Sequence, residues 1–506
     1  MESGLVATLM APLIILLLIN LWKKRNHRVD VDLPPGPKKL PIIGNLHLIS
    51  DPPFRSFRDL AKQYGPIMHL KLGELDTIVV SSPEIAKQVF KDNDPVFANR
   101  PESVALEVCW YNYIDVAFCP YGEYWREMRK LWILEVLSAK SVRSFAPIRK
   151  DEISRLVKHL HVAAARGNPV NLTEMVGALI SSITCRSAFG TVCKDKASMI
   201  KIVHETLGIS VGFSIVDIYP SSPIVAALRW VLKLRLLRMR RKIDFVLEDI
   251  IRRHENSPTS NNGEFGNEDL VDVLLRIKET GQMKFPIGYD NIKAMLLDMF
   301  AAGTDTSSST IVWAMTELMR NPRVLAKAQA EVRQVITSHG IIEDELIPNL
   351  KYIKCIIMET LRLHPQGSVI IRLSKSESRE IGGYTIPKNV RVAVNIWAIH
   401  RDPNYWPDPE TFKPERFEDQ QTFDFTGNND FRYIPFGGGK RTCPGVAYGT
   451  TSVTLILAQL LYSFNWKLPD GVDAQTLNMI ENTGVTTSRK QDLIVVPIPF
   501  EPATSP

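Results

Sequence analysis

Ten residues near the C-terminus, Phe436-Gly-Gly-Gly-Lys-Arg-Thr-Cys-Pro-Gly445, leave this chain few folds to choose from. The stretch after them, VAYGTTSVTLILAQLLYSF, has the apolar spacing of a buried helix, so Cys443 is expected just before a helix start. Pro444 suits a first helical turn, where its missing N–H is no loss. The three glycines let the backbone bend closely around the sulfur and aim N–H groups at it. Helix N-terminal partial charge and N–H donation both favour a thiolate. Three readings compete: a buried structural thiol, part of a phosphate cradle, and a metal ligand. GxxxxGK[ST] is not matched and no strand-like run leads in, which counts against the cradle. A lone thiolate without a nearby His or Cys suits an iron already held by a porphyrin better than a tetrahedral zinc.

These residues resemble the haem-binding signature FxxGxRxCxG of the cytochromes P-450, through Phe436, Gly439, Arg441, Cys443 and Gly445, and the resemblance covers nearly the whole chain. It implies a mainly α-helical fold with small β-sheets, in one large domain holding haem b (iron protoporphyrin IX). In that family the cysteine is the axial ligand to the iron. The arginine two residues earlier, here Arg441, pairs with a haem propionate, a role that guanidinium geometry suits. Trp125-Arg-Glu-Met-Arg129 matches the family's WxxxR helix, with an indole N–H and a guanidinium one turn apart on one face for the propionates. Arg100 in FANRP and Arg372 join them by similar position, against the reading that each is a solvated surface charge.

Glu359-Thr-Leu-Arg362 sets opposite charges at i and i+3 on one helix face. Alone, this is a surface ion pair of little worth. The resemblance implies more, because the family's ExxR pair packs against an arginine of a downstream PERF element, here Pro414-Glu-Arg-Phe417. Glu359, Arg362 and Arg416 are therefore expected to form a buried structural network.

No proline interrupts Ile287 to Arg320, which reads as one helix of roughly 50 Å. Its middle, Ala301-Ala-Gly-Thr-Asp-Thr306, sets small residues, an acid and a hydroxyl between apolar MLLDMF and IVWAM. A helix-interior glycine costs up to about 1 kcal/mol, tolerated where another group approaches the backbone. A threonine hydroxyl can bond the i−4 carbonyl and open a polar groove. A helix break or N-cap at Thr304 or Asp305 is the alternative. The stretch looks like the family's [AG]Gx[DE]T[TS] motif, through Ala302 to Ser307. The resemblance implies that Asp305 relays protons and that Thr306 donates a hydrogen bond to bound dioxygen. Family members that rearrange peroxides commonly lack the pair.

At the other end, Leu5 to Trp22 is about 18 residues without a charge, followed by Lys23, Lys24, Arg25 and Arg28. That pattern predicts a single-pass membrane anchor over 1–28 with the rest cytosolic. A signal peptide would carry its basic residues before the apolar run. Residues 29–45, with Leu33-Pro-Pro-Gly-Pro37, predict a stiff extended linker ahead of a catalytic domain over 46–506. Asn171-Leu-Thr173 fits a glycosylation pattern, but this orientation keeps it from the lumenal enzymes. The net charge of +6 over 506 residues is too weak to imply nucleic-acid binding. Six cysteines, with no CxxC pair, suggest neither a disulfide scaffold nor a zinc module.

By family position the pocket walls come from Pro101 to Pro120, Gly208 to Val225, Leu296 to Ala302, Gln366 to Arg372 and Asn482 to Thr487. Their Val, Ile, Phe and Ala content predicts an apolar small molecule. Gln366-Gly-Ser-Val-Ile-Ile-Arg372 departs from the proline-rich run of plant members. Residues 213–242 pass from apolar sequence into LRWVLKLRLLRMRRK, which fits either a membrane surface or an exposed helix of the body. No flavin- or nicotinamide-binding GxGxxG appears. Electrons are therefore expected from NADPH through a separate NADPH–cytochrome P-450 reductase, with O2 as co-substrate, on the endoplasmic reticulum membrane. The resemblance, notably in PPGPKKLPIIGN and FCPYGEYWREMRK, points to plant monooxygenases that oxidise terpenoids or alkaloids. A phenylpropanoid oxidase, an isomerase or dehydratase, and a haem carrier are the alternatives; Asp305 and Thr306 argue against the isomerase or dehydratase and against the carrier.

Overall fold

Two large hydrophobic clusters fill the interior, and the helix Tyr289–Arg320 runs through both. The computed structural model describes residues 32–190, 196–210, 214–256, 268–336, 341–418, 423–427, 430–482 and 484–501. The anchor expected over 1–28 lies outside them, and among the described residues no helix is long and apolar enough to cross a membrane.

The site is framed by α1 (Glu123–Leu131), α2 (Leu172–Phe189), α3 (Pro223–Asn256), α4 (Tyr289–Arg320), α5 (Lys351–Leu363) and α6 (Val446–Ser463). Every residue of α4 from Ile292 to Ala301 is buried, and so is each from Ser309 to Met319. A helix buried on all sides shows no amphipathic stripe, which is why its sequence reads as one apolar run broken only in the middle. It continues unbroken through Gly303, Thr304 and Asp305, so the alternative of a break or N-cap there is not realised. It ends where Pro322, which cannot continue the ladder, opens the next helix.

Small sheets flank the helices. The largest joins β1 (Ile67–Leu72), β2 (Leu75–Val80), β3 (Val369–Ser374) and β4 (Val390–Asn395) in the order β1-β2-β4-β3. β2 and β4 run parallel, and the other pairs are antiparallel. All six residues of β4 are buried, as its β-branched sequence requires.

The proline-rich stretch is extended, as its ring-locked φ angles dictate, but it packs on the body instead of standing off as a spacer. Pro35 accepts the His69 N–H at 2.9 Å, and a Cβ on Gly36 would lie 2.0 Å from the His69 carbonyl oxygen. Asn171 is likewise engaged: its amide caps α2 through the Glu174 N–H and donates to Asp492 at 2.8 Å.

His254, near the end of α3, contacts the Ile250 carbonyl through Nδ1 and Asp269 through Nε2, each at 2.8 Å. Burial opposes its charge, but the Asp269 carboxylate outweighs burial and lifts the imidazole to about 9. A group raised in the folded state contributes stability fully below its unfolded value, about 6.5, and loses it as pH rises through the folded one. The denaturant midpoint is therefore expected to fall between pH 6.5 and 9, and His254→Gln to flatten that slope. An unchanged slope in the variant would overturn the assignment.

Candidate active site

Cys443 lies two residues ahead of the α6 N-cap, Gly445, so the helix starts at Val446 and Pro444 sits in the preceding turn, not in the first helical turn. The Cys443 N–H donates to the Phe436 carbonyl at 3.0 Å, closing the loop on itself. Gly437 and Gly439 have φ of 74° and 70°, which side-chain-bearing residues rarely adopt. A Cβ on Gly439 would also sit 2.2 Å from the Phe90 carbonyl oxygen and 2.6 Å from the Asp94 carboxyl. Gly439 thus serves close packing against residues 90–94, where Asp94 accepts the Lys440 N–H at 2.7 Å. Around the sulfur, burial pushes the thiol up, while the Gly445 N–H and Arg129 pull the other way. N–H donation acts on the sulfur in the direction expected from the sequence, and in the chain alone desolvation is the larger, opposing effect.

Four arginines from distant segments converge beside this loop. Arg441 donates to the carbonyls of Ala98 (2.8 Å), Val116 (3.1 Å) and Cys119, and its guanidinium stacks 4.4 Å over the Trp125 ring. The Trp125 indole donates to the Val116 carbonyl at 3.0 Å, and Arg129 donates to the Thr442 carbonyl. Arg100 reaches the Ala117 and Ile371 carbonyls. Arg372, on β3, is 1% exposed and donates to the Gly438 carbonyl at 3.1 Å, leaving Nε and Nη1 buried without a partner. Burial first and mutual repulsion second depress these cations: Arg441 falls to about 9, and Arg372 drops well below its ordinary value. Burial alone brings Arg100 down to about 10, against the pull of Asp115. Arg100 is half-buried and Arg372 fully buried, so neither is a solvated surface charge. Clustered buried cations with orphaned donors call for anions, and the two carboxylates of a haem fit that demand.

The Cys443 loop rests on a charged network. Arg362 grips Glu359 with two bonds, Nε at 2.7 Å and Nη2 at 2.9 Å, and both side chains are fully buried. Its Nη1 donates to the carbonyls of His400 (2.9 Å) and Pro409 (2.7 Å). Arg416, at the edge, donates to Glu359 at 3.2 Å and to the Asp408 carbonyl at 2.7 Å. Burial and then Arg362 depress the His400 imidazole to about 3, so it stays neutral and its Nε2 accepts the Ile434 N–H at 2.9 Å. Ile434 is two residues before Phe436, which ties the network to the loop.

Opposite, α4 packs on α6. Between the two buried stretches of α4, Ala302 is exposed and Asp305 and Thr306 half-buried, so accessible space opens at the acid–alcohol pair. The Thr306 hydroxyl donates to the Ala302 carbonyl at 2.7 Å. Gly303 permits the close approach of neighbours: a Cβ there would lie 3.4 Å from Thr184 on α2 and 3.9 Å from Tyr448 on α6. A cavity of about 460 Å³ is lined by Leu106, Phe118, Ile218, Val369, Ile371 and Val485, among others. Four of the five wall segments expected from the sequence contribute; Leu296 to Ala302 does not, and Leu46 to Phe54 adds an unforeseen wall. Asp298 and Asp115 were not singled out from the sequence. Asp298 had a legible signal, a lone acid in apolar MLLDMF.

A family model described as Cytochrome P450 matches residues 34–495. Premnaspirodiene oxygenase of Hyoscyamus muticus is 50% identical over 96% of this chain and 97% of its own. 5-Epiaristolochene 1,3-dihydroxylase of Nicotiana tabacum is 47% identical over 96% of this chain and 97% of its own. A zebra fish cytochrome P450 solved with abiraterone superposes with a TM-score of 0.74 at 23% identity, covering 89% of this chain and all of that one, and supports the fold. With a cysteine loop, an arginine cluster and this breadth of match, the chain belongs to the cytochrome P450 family.

Proposed function

We propose that this chain hydroxylates an apolar terpenoid with one atom of O2, on electrons passed from NADPH by a separate reductase. As a P450 monooxygenase it uses haem b, which supplies the oxygen-activating chemistry when bound. The observation that carries the reading is the accessible, polar middle of the unbroken helix α4, where Asp305 and Thr306 stand between two hydrophobic clusters. Cys443 would hold the haem iron through its sulfur. Arg100, Trp125, Arg129, Arg372 and Arg441 are assigned to the propionates, with Phe436, Gly439 and Gly445 shaping the loop. The substrate class draws support from the apolar cavity and from the two relatives, named for premnaspirodiene and 5-epiaristolochene.

The chemistry of this chain's own residues follows from their placement. Thr306 holds a proton on Oγ1, parked on the Ala302 carbonyl 2.7 Å away, and can turn it toward the accessible space beside exposed Ala302. Asp305, one residue before it and half-buried, is assigned to restoring that proton. General acid delivery of this kind is worth roughly 10²-fold or more. Thr306→Ala is therefore expected to cut product formed per NADPH consumed by about tenfold or more, with NADPH oxidation continuing. Equal coupling in the variant would remove Thr306 from the proton path. Incubation with NADPH, reductase and ¹⁸O₂ tests the function directly: one labelled oxygen in a terpenoid product supports it, and label confined to phenylpropanoids overturns it.

Arg372→Gln is expected to strand the remaining cations less but to lose the two orphaned donors. Charge-assisted bonds of about 2 kcal/mol predict roughly thirtyfold weaker haem retention, measured by transfer to apomyoglobin. Unaltered retention would refute the assignment.

Membrane attachment draws on the apolar run from Leu5 to Trp22 and the basic residues after it. It also draws on exposed apolar side chains of the body. Ile224, Trp230 and Val231 on α3 are 80%, 66% and 63% exposed. The turn carrying exposed Ile42 meets the β1–β2 hairpin, which packs on Ile218 just before α3.

A further inference from the structure

We propose that Asp298 is a positioning residue that sets the Phe118 wall of the cavity by pinning the Trp110–Ala117 loop to α4. The proposal rests on the reading of this site as a haem-thiolate oxygenase.

Positions 298, 302 and 306 are spaced at i, i+4 and i+8, so Asp298 shares a helix face with exposed Ala302 and with Thr306. Its carboxylate is 6% exposed and accepts three N–H donors from one loop. Trp110 Nε1 donates to Oδ1 at 3.0 Å; the Val116 and Ala117 backbone N–H groups donate to Oδ2 at 2.9 and 3.3 Å. That loop needs holding. Tyr111, Asn112 and Tyr113 have φ of 50°, 57° and 61°, three consecutive non-glycine residues in the left-handed region. Such backbone persists only where its surroundings over-determine it.

The pin reaches the cavity through packing. The Trp110 ring meets Phe118 edge-on at 5.6 Å, and Phe118 lines the cavity. The same loop is gripped from its other side, since the Val116 carbonyl accepts from both Trp125 and Arg441. Beside it, Asp115 is fully buried and accepts the Phe118 N–H at 2.7 Å; burial and the Asp298 charge push its carboxyl well above the usual range. The loop therefore presents three N–H donors to one carboxylate. Asparagine at 298 cannot substitute: its single oxygen serves one side, and its NH2 faces donors on the other.

The test compares wild type, Asp298→Asn and Trp110→Phe as haem-loaded full-length protein. Imidazole and 4-phenylimidazole are titrated by the absorbance change on binding iron, and amide hydrogen exchange is followed over residues 110–118. Imidazole needs only the iron, whereas the phenyl group needs the wall. Loss of buried charge-assisted bonds predicts a Kd for 4-phenylimidazole raised about tenfold in Asp298→Asn and about threefold in Trp110→Phe, with imidazole changed less than about twofold. Exchange over 110–118 is expected to rise in both variants. Unchanged affinity for 4-phenylimidazole, or equal weakening of both azoles, overturns the proposal. If Asp298→Asn loads no haem, Trp110→Phe decides. No absorbance response to imidazole in wild type would instead sink the haem-thiolate reading, and exchange over 110–118, which needs no haem, would still decide the pin.

Discussion

Cys443→Ser is expected to abolish the strongly red-shifted Soret band of the dithionite-reduced carbon monoxide complex and to leave no product above background. A serine hydroxyl is a poor anion at neutral pH, so the iron loses the electron-rich ligand that defines this chemistry. The fold has little reason to respond. The side chain keeps its size, and the loop's own bond, from the Cys443 N–H to the Phe436 carbonyl, is made by backbone. The melting temperature of the variant without haem is expected to match wild type, within the small range of substitutions that break no packed feature. A variant that retains both the red-shifted band and turnover would remove the sulfur from the centre of the assignment.

Arg362→Ala carries the second large effect, through folding instead of chemistry. The guanidinium makes two bonds to Glu359 and further bonds to the carbonyls of His400, Pro409 and Thr411. Truncation strands the fully buried Glu359 carboxylate with Arg416 and the Lys413 N–H as its remaining partners. Breaking a buried pair costs about 3–5 kcal/mol, a large part of the roughly 5–15 kcal/mol that holds a native protein together. The expected result is sparse soluble protein with little haem. Arg362→Lys is expected to be nearly as harmful, because an ammonium cannot reproduce the planar fork. Arg362→Ala protein that melts with wild type and carries full haem would show the network to be dispensable.

The legible parts of the site share a physical character. The cysteine loop, the Glu359–Arg362 pair and the polar 302–306 stretch are written at spacings of a few residues, where helix geometry and glycine freedom act directly. Asp298 was readable only as an oddity, an acid among apolar residues. Its partners, Trp110, Val116 and Ala117, lie nearly two hundred residues away in a loop whose left-handed turn has no glycine to announce it. The Cys443 thiol shows a different gap: local features favour the anion, yet desolvation by the whole surrounding body outweighs them.

Sequence alone determined where the cysteine loop lies, which long stretch forms one uninterrupted helix, and where that helix turns polar, because those properties depend on residues within a turn or two of one another. Tertiary structure alone decided that Arg100, Arg129, Arg372 and Arg441 crowd together, that the proline-rich stretch lies on the first hairpin, and that residues 46–54 close the cavity. Contacts such as Arg129 to Thr442, 313 positions apart, follow from how packed layers meet, and no local spacing encodes them.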